Sequence, residues 1–235
     1  MAVGEDRAVL QALEDFTRQV NEPDSALDRM QLAVEIIADL IPGCTDVGVT
    51  FADRTGVTTA AATSETVRRA DQLQYELREG PWFTVQTAQS AFSGDVAHDP
   101  RWPVWGPRVS AELGIGSVMS FLLSDERRSF GSCKLYADRV DAFDHQDRVV
   151  AETFAVHLSV AIALGLEIEN RGNAMITRTV IGQAEGILME RFGITADQAF
   201  DELRRMSSRR NRKLASIAAE LVQNRELAVP AEAAD

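Results

Sequence analysis

With 235 residues, 45% of them hydrophobic, the chain has enough apolar material for one large or two modest globular cores. Its formal net charge of −12 excludes indiscriminate binding of nucleic acid or anionic membrane by the molecule as a whole. No uninterrupted apolar run is long enough for a bilayer, the start MAVGEDRAVL has no signal-peptide character, and Cys44 and Cys133 are the only cysteines, too few for a disulfide framework or a cysteine-based zinc site. The expectation is a cytoplasmic protein with no membrane segment.

In chain order, Asp6–Val20 reads as an amphipathic helix. Leu27, Met30, Leu32, Val34, Ile36, Ile37 and Leu40 mark a second helix, stopped by Pro42 and Gly43. Asp46–Phe51 and Val57–Thr63 read as strands joined across the turn Asp53-Arg54-Thr55-Gly56. Glu65–Glu79 is helical in character and polar, Pro81–Gln89 is a short helix, and Gly94 and Asp95 punctuate. The loop His98-Asp99-Pro100-Arg101-Trp102-Pro103 leads into a helix through Val109 and Leu113. A hairpin of Ile115–Leu123 and Phe130–Tyr136 follows, turned at Ser124–Arg128. Helices flanking roughly five antiparallel strands give an α+β module.

This order is similar to a GAF domain, a sensor fold. The likeness rests on Leu73-Gln74, Glu79-Gly80-Pro81, Asp99-Pro100-Arg101-Trp102-Pro103, Gly114–Ser120, Leu135-Tyr136 and Phe143. The resemblance implies an antiparallel sheet flanked by helices and a small-molecule ligand held between sheet and loops, its identity unknown. Trp82, Phe83, Trp102, Trp105 and Tyr136 either line such a pocket or fill the sheet–helix interface. Trp82 stands where the family often has a cysteine, which removes thiol sensing at that point. His98 and His145 have polar surroundings, and His157 lies on an apolar stripe as a core or interface histidine. No metal-ligand spacing, nucleophile elbow, phosphate-cradling loop or kinase signature occurs, so no metal, cofactor or enzymatic activity is expected.

From Asp144 to about residue 177 a connecting helix is predicted with two apolar stripes. One holds Val149, Val156, Val160 and Ala163; the other holds Val150, Phe154, His157, Ala161, Leu164 and Ile168. Two stripes mean either complete burial within one subunit or a parallel helix from a second copy, hence a homodimer. Composition turns polar after Leu166, which divides the chain into a sensor domain at 1–166, a C-terminal domain at 167–229 and a flexible tail at 230–235.

The C-terminal stretch reads as three short helices. Ile176, Val180, Ala184, Ile187 and Leu188 form the first stripe, stopped by Gly193. Thr195 and Gln198 form a capping box ahead of a second helix with Ala199, Phe200, Leu203 and Met206 on its apolar face. Asn211 is read as the N-cap of a third, with Leu214, Ile217, Ala218 and Leu221 inward. Residues 171–235 carry ten basic against nine acidic side chains, yet Arg204, Arg205, Arg209, Arg210, Arg212 and Lys213 crowd one helix–turn–helix junction without an acid among them. Arginine forks match phosphate geometry, so this is either a polyanion site or a solvated face answering Asp201, Glu202 and Glu220. Gly182 and Gly186 lie one turn apart on the side opposite the stripe, near Arg178, Glu185 and Met189, and open a face for nucleic acid or a partner helix.

The run IGQAEGILMERFGIT, with the AF, LRR, N-x-KL and IA that follow, resembles the ANTAR domain, the RNA-binding output module of bacterial antitermination regulators. Glu185 departs from the lysine common there, which leaves the second-to-third helix junction as the phosphate site. The resemblance implies binding of RNA stem-loops in nascent transcripts. Arg204, Arg205, Arg209, Arg210, Arg212 and Lys213 would neutralise phosphates, and Arg178 and Gln183 would reach loop bases. Gly182, Gly186 and Met189 would be the close-approach surface. The basic junction shows no aromatic stacking platform, so discrimination is assigned to hydrogen bonds and loop shape. The rival readings are a DNA-binding three-helix protein, and a protein–protein or small-molecule-sensing regulator that touches no RNA.

Overall fold

The structure, a computed structural model, describes residues 2–224 apart from 54, 55 and 127; the predicted tail at 230–235 lies outside the described residues. The chain divides into two compact units, Met1–Glu169 and Asn170–Asp235.

In the first unit, helices α1 (Ala2–Val20) and α2 (Ala26–Leu40) precede strands β1 (Asp46–Asp53) and β2 (Gly56–Ala62). Ser25 caps α2 by accepting the Leu27 amide. Then come α3 (Glu65–Leu77), α4 (Pro81–Ala88), β3 (Ser90–Ser93), a single 3₁₀ turn at Val96–His98 and α5 (Trp105–Leu113). The hairpin β4 (Ser117–Ser124) and β5 (Ser129–Ala137) closes a five-stranded sheet of order β2-β1-β5-β4-β3, antiparallel throughout. Strand β3 was not expected: four residues are too few for an alternation to show, and only pairing with the edge of β4 makes them a strand.

Alternation along the strands sends side chains to two cores. Val47, Val49, Met119, Phe121, Cys133 and Leu135 meet Phe16 of α1, Met30 and Ile37 of α2, and Phe154, Leu158 and Ile162 of the following helix. Val118 and Tyr136 point the other way, to α3, α4 and α5. On that side Gly48 lets α3 ride close on β1, since a Cβ there would lie 2.2 Å from Cγ1 of Val67.

Helix α6 runs unbroken over His145–Phe192. The predicted connecting helix and the first short helix of the C-terminal stretch are therefore one element, because neither proline nor a left-handed residue interrupts them. Ala151, Phe154, Ala155, Leu158, Ala161 and Ile162 are its buried stripe in the first unit, and His157 Nδ1 lies 3.0 Å from the Thr17 hydroxyl. Val149, Val156, Val160, Leu164 and Ile168 are exposed on the opposite side. By length and composition α6 could cross a membrane, but its inner stripe is the core of the first unit.

Candidate nucleic-acid interface

The second unit is built from the end of α6, α7 (Ala196–Arg210) and α8 (Leu214–Asn224). Ala184 and Leu188 of α6, Ala199 and Leu203 of α7, and Ile217, Ala218 and Leu221 of α8 form its core. Ile176 is exposed and does not join the stripe it was assigned to; the helix has not yet met its neighbours at that turn. Gly193 takes the left-handed conformation at φ +63° and donates to the Met189 carbonyl at 2.9 Å, ending α6. Thr195 and Gln198 exchange both capping-box bonds at the head of α7.

Asn211 has a different role from the predicted one. It closes α7 in the left-handed region, φ 49°, with its N–H on the Ser207 and Ser208 carbonyls, and α8 begins three residues later. Asparagine tolerates that conformation better than most residues, so it serves as a C-cap. The resulting turn carries Arg212 and Lys213 outward beside Arg210.

The basic side chains fall into two groups. Asp201, Arg204, Arg205, Ser208 and Arg209 line an open depression of about 430 Å³ along the outside of α7. Arg204 pairs with Asp201 at 3.5 Å, both well exposed, and Arg205 with the half-buried Glu202 at 3.2 Å. At the junction, Arg210 (3.0 Å) and Arg212 both grip Glu220 of α8, and the Arg212 bond first, then that of Arg210, holds the Glu220 carboxyl below its ordinary range. Among the described residues neither Arg209 nor Lys213 makes an ion pair. Water screens surface pairs of this kind, so a phosphate can displace the carboxylates cheaply.

Gly182, Gln183, Gly186, Met189 and Arg178 are all exposed on α6, and a Cβ at either glycine would meet nothing within 4 Å. Beside them lies a second open depression, about 530 Å³, lined by Gln183, Gly186, Ile187, Glu190, Arg191 and Val222. Arg178 and Gln183 thus sit on α6 rather than on the α7 face with the arginines.

In the first unit, Trp82, Trp102, Trp105 and Tyr136 are buried and Phe83 packs half-buried against them. Trp102 and Trp105 meet edge to face at 5.4 Å, and their indole N–H groups donate to Thr84 Oγ1 and the Ala70 carbonyl. All five pack into the core between the sheet and α3, α4 and α5. The motif residues around them are structural too. Glu79 accepts the Val104 and Trp105 amides at 2.7 Å, and Asp99 holds Arg101.

Sequence reasoning missed a wholly buried ion pair. Lys134 of β5 and Asp71 of α3 are both wholly buried, with Nζ 2.5 Å from Oδ1. Lys134 also donates to Thr50, and Asp71 accepts from Thr59 (2.8 Å), Gln74 (2.9 Å) and Tyr136 (3.4 Å). Tyr75 reaches Thr50 at 3.0 Å. Burial drives the Lys134 pKa down against the opposing pull of Asp71, and it pushes Tyr75 up to about 12 and Tyr136 up as well. The signal was present: Lys134 sits at an inward register position beside Tyr136, and Asp71 falls on the Val67–Ala70–Gln74 stripe.

The GAF domain family pattern matches residues 25–163 and the ANTAR domain pattern matches 170–222. No curated protein sequence matches the chain. Among solved structures it is similar to the GAF domain of a phosphoenolpyruvate-protein phosphotransferase from Coxiella burnetii, at 15% identity and TM-score 0.56 over 70% of this chain and 96% of that one. It is also similar to free methionine-R-sulfoxide reductase from Neisseria meningitidis, at 12%, 0.53, 68% and 90%. A third is bacteriophytochrome RpBphP3 from R. palustris, at 12%, 0.54, 84% and 46%. At such identities these three establish the fold alone. The chain belongs to the GAF domain family, with an ANTAR domain following the GAF domain.

Proposed function

We propose that this chain is a cytoplasmic transcription antitermination regulator whose ANTAR domain binds stem-loops in nascent RNA under control of its GAF domain. The observation that carries the reading is the exposed arginine face of α7, set on a protein of net charge −12 and inside the segment that matches the ANTAR pattern. A concentrated positive face on a negative body favours a polyanion held at one place over nonspecific coating. Arg204, Arg205, Arg209 and Lys213 supply phosphate contacts, while Arg210 and Arg212 contribute after release from Glu220. The open α6 face at Gly182 and Gly186 admits RNA near the backbone, within reach of Arg178 and Gln183.

The protein acts as a homodimer through the exposed row Val149, Val156, Val160, Leu164 and Ile168, whose spacing lays a continuous apolar strip along α6. Two ANTAR domains then engage paired hairpins with added avidity. The input to the GAF domain is a small molecule or a change in the dimer.

Filter binding of transcript stem-loops tests the reading. The double change Arg209→Ala with Arg210→Ala is expected to weaken binding and flatten its salt dependence by roughly 0.7 in log–log slope per lost contact. Unchanged affinity in a folded double variant excludes the α7 face. Crosslinking in cells, with sequencing of the attached fragments, identifies the targets, and a chain that crosslinks to no RNA is instead a protein–protein regulator.

A further inference from the structure

Phe200 is 38% exposed, yet its chain neighbour Ala199 and the next-turn residue Leu203 are wholly buried. The core of the second unit therefore closes without it. At 100° per residue, Arg204 lies about 40° around α7 from Phe200 and Ser208 about 80°, so the three form one row on the outer surface. Asp201, Arg205 and Arg209 form the adjoining row. Side chains on a helix lean toward its N-terminus, so Arg204 reaches back over the turn that carries Phe200 and Asp201, and it meets Asp201 there. An uncovered aromatic beside Arg204, which lines the basic depression, matches single-stranded nucleic acid in both of its chemistries, flat apolar bases and charged phosphates.

We infer that the outer face of α7 is a stacking site for unpaired nucleotides of an RNA loop, with Phe200 as the platform and Arg204, on the same row, on the flanking phosphate. The inference rests on the RNA-binding reading above and deepens it. The aromatic platform missing from the basic junction is supplied one helix earlier. Base-paired RNA hides its base faces within the stack, so the site selects loops over stems. The carboxylates of Asp201 and Glu202 do not block the face, because water reaches both pairs and they yield their arginines to phosphate.

The test uses the full chain and a pool of RNA stem-loops with one fixed stem and a randomised loop, set against blunt duplex of the stem alone. Wild type, Phe200→Leu and Phe200→Trp are compared by filter binding, with circular dichroism to verify the helices. Wild type should retain the loop pool in preference to duplex. Phe200→Leu should lower loop binding about tenfold and leave duplex binding as it was. Phe200→Trp should restore the preference, and its indole fluorescence should be quenched by loop RNA, since Trp82, Trp102 and Trp105 are buried. If Phe200→Leu keeps the wild-type preference, the stacking site is wrong while RNA binding stands. A wild-type chain that binds neither probe overturns both readings. A change of oligomeric state in Phe200→Leu assigns the ring to a protein contact and overturns the stacking site.

Discussion

Lys134–Asp71 in the GAF domain and Arg204–Asp201 in the ANTAR domain pair the same two charges with opposite consequences. The first pair is wholly buried at 2.5 Å and surrounded by hydroxyl and amide partners. In the second, at 3.5 Å, both side chains are more than half exposed to water. Low dielectric makes the buried charges dependent on each other, whereas water makes the exposed ones exchangeable. Burial therefore separates a cation that holds the fold from those left open to solvent.

Breaking the buried pair gives the largest expected effect. Asp71→Ala leaves an ammonium without its countercharge and should cost about 3–5 kcal/mol. That lowers the thermal midpoint of the GAF domain by roughly 10 °C. Lys134→Met should cost a similar amount, and Asp71→Leu with Lys134→Met should cost less than the two singles together. Arg204→Ala should leave the midpoint within about 0.5 kcal/mol of wild type. Equal losses at Asp71 and Arg204 in calorimetry would abolish the distinction.

The next effect sharpens the comparison by pH. Burial pushes the thiols of Cys44 and Cys133 from 9.0 up to about 12, and Tyr75 from 10.0 to about 12. These groups hold their protons in the fold and release them more readily when unfolded. Their stabilising contribution is complete below about pH 9 and is lost as pH rises toward 12. Lys134, with its lowered pKa, works in the opposite sense and softens the slope. Melting should fall progressively above pH 9, and at neutral pH neither thiol should react with iodoacetamide until the chain unfolds.

What the sequence made legible divides along the same line. Periodicity announced the helices and the β4–β5 hairpin, and the Thr195–Gln198 box and Gly193 marked real helix ends, because each depends on neighbours close in the chain. Lys134 and Asp71 are 63 positions apart and acquire meaning only when β5 and α3 stack. Asn211 was assigned to the wrong helix because asparagine suits both an N-cap and a left-handed C-cap. Phe200 was placed on the apolar face because hydrophobicity alone does not distinguish a core residue from an uncovered one. The arginines were legible as a cluster, but their division between Glu220 and open solvent was not.

Smaller still is the effect of closing the open face of α6. With nothing within 4 Å of a Cβ, Gly182→Ala and Gly186→Ala should each stabilise the ANTAR domain by up to about 1 kcal/mol. Gly186→Leu should improve helix propensity too, yet impair RNA binding or assembly by filling the approach. If binding is undiminished in a filter assay, that face is not part of the interface.

Glu220 yields the smallest change and the finest discrimination. Glu220→Gln removes the charge that holds Arg210 and Arg212 while keeping the side chain's length and an acceptor oxygen. Solvent reaches both pairs, so the melting midpoint should barely move. Freed from the carboxylate, both guanidinium groups become available to phosphate. Stem-loop affinity should therefore rise a few-fold, with a salt dependence steeper by up to roughly 0.7 for each arginine recruited. A fall in affinity would mean the opposite: Glu220 holds the two forks in the orientation RNA needs, and the junction binds as a preset surface. Adding Arg210→Ala to Glu220→Gln separates the cases, since competition by Glu220 requires the gain in affinity to shrink when one of the released arginines is gone.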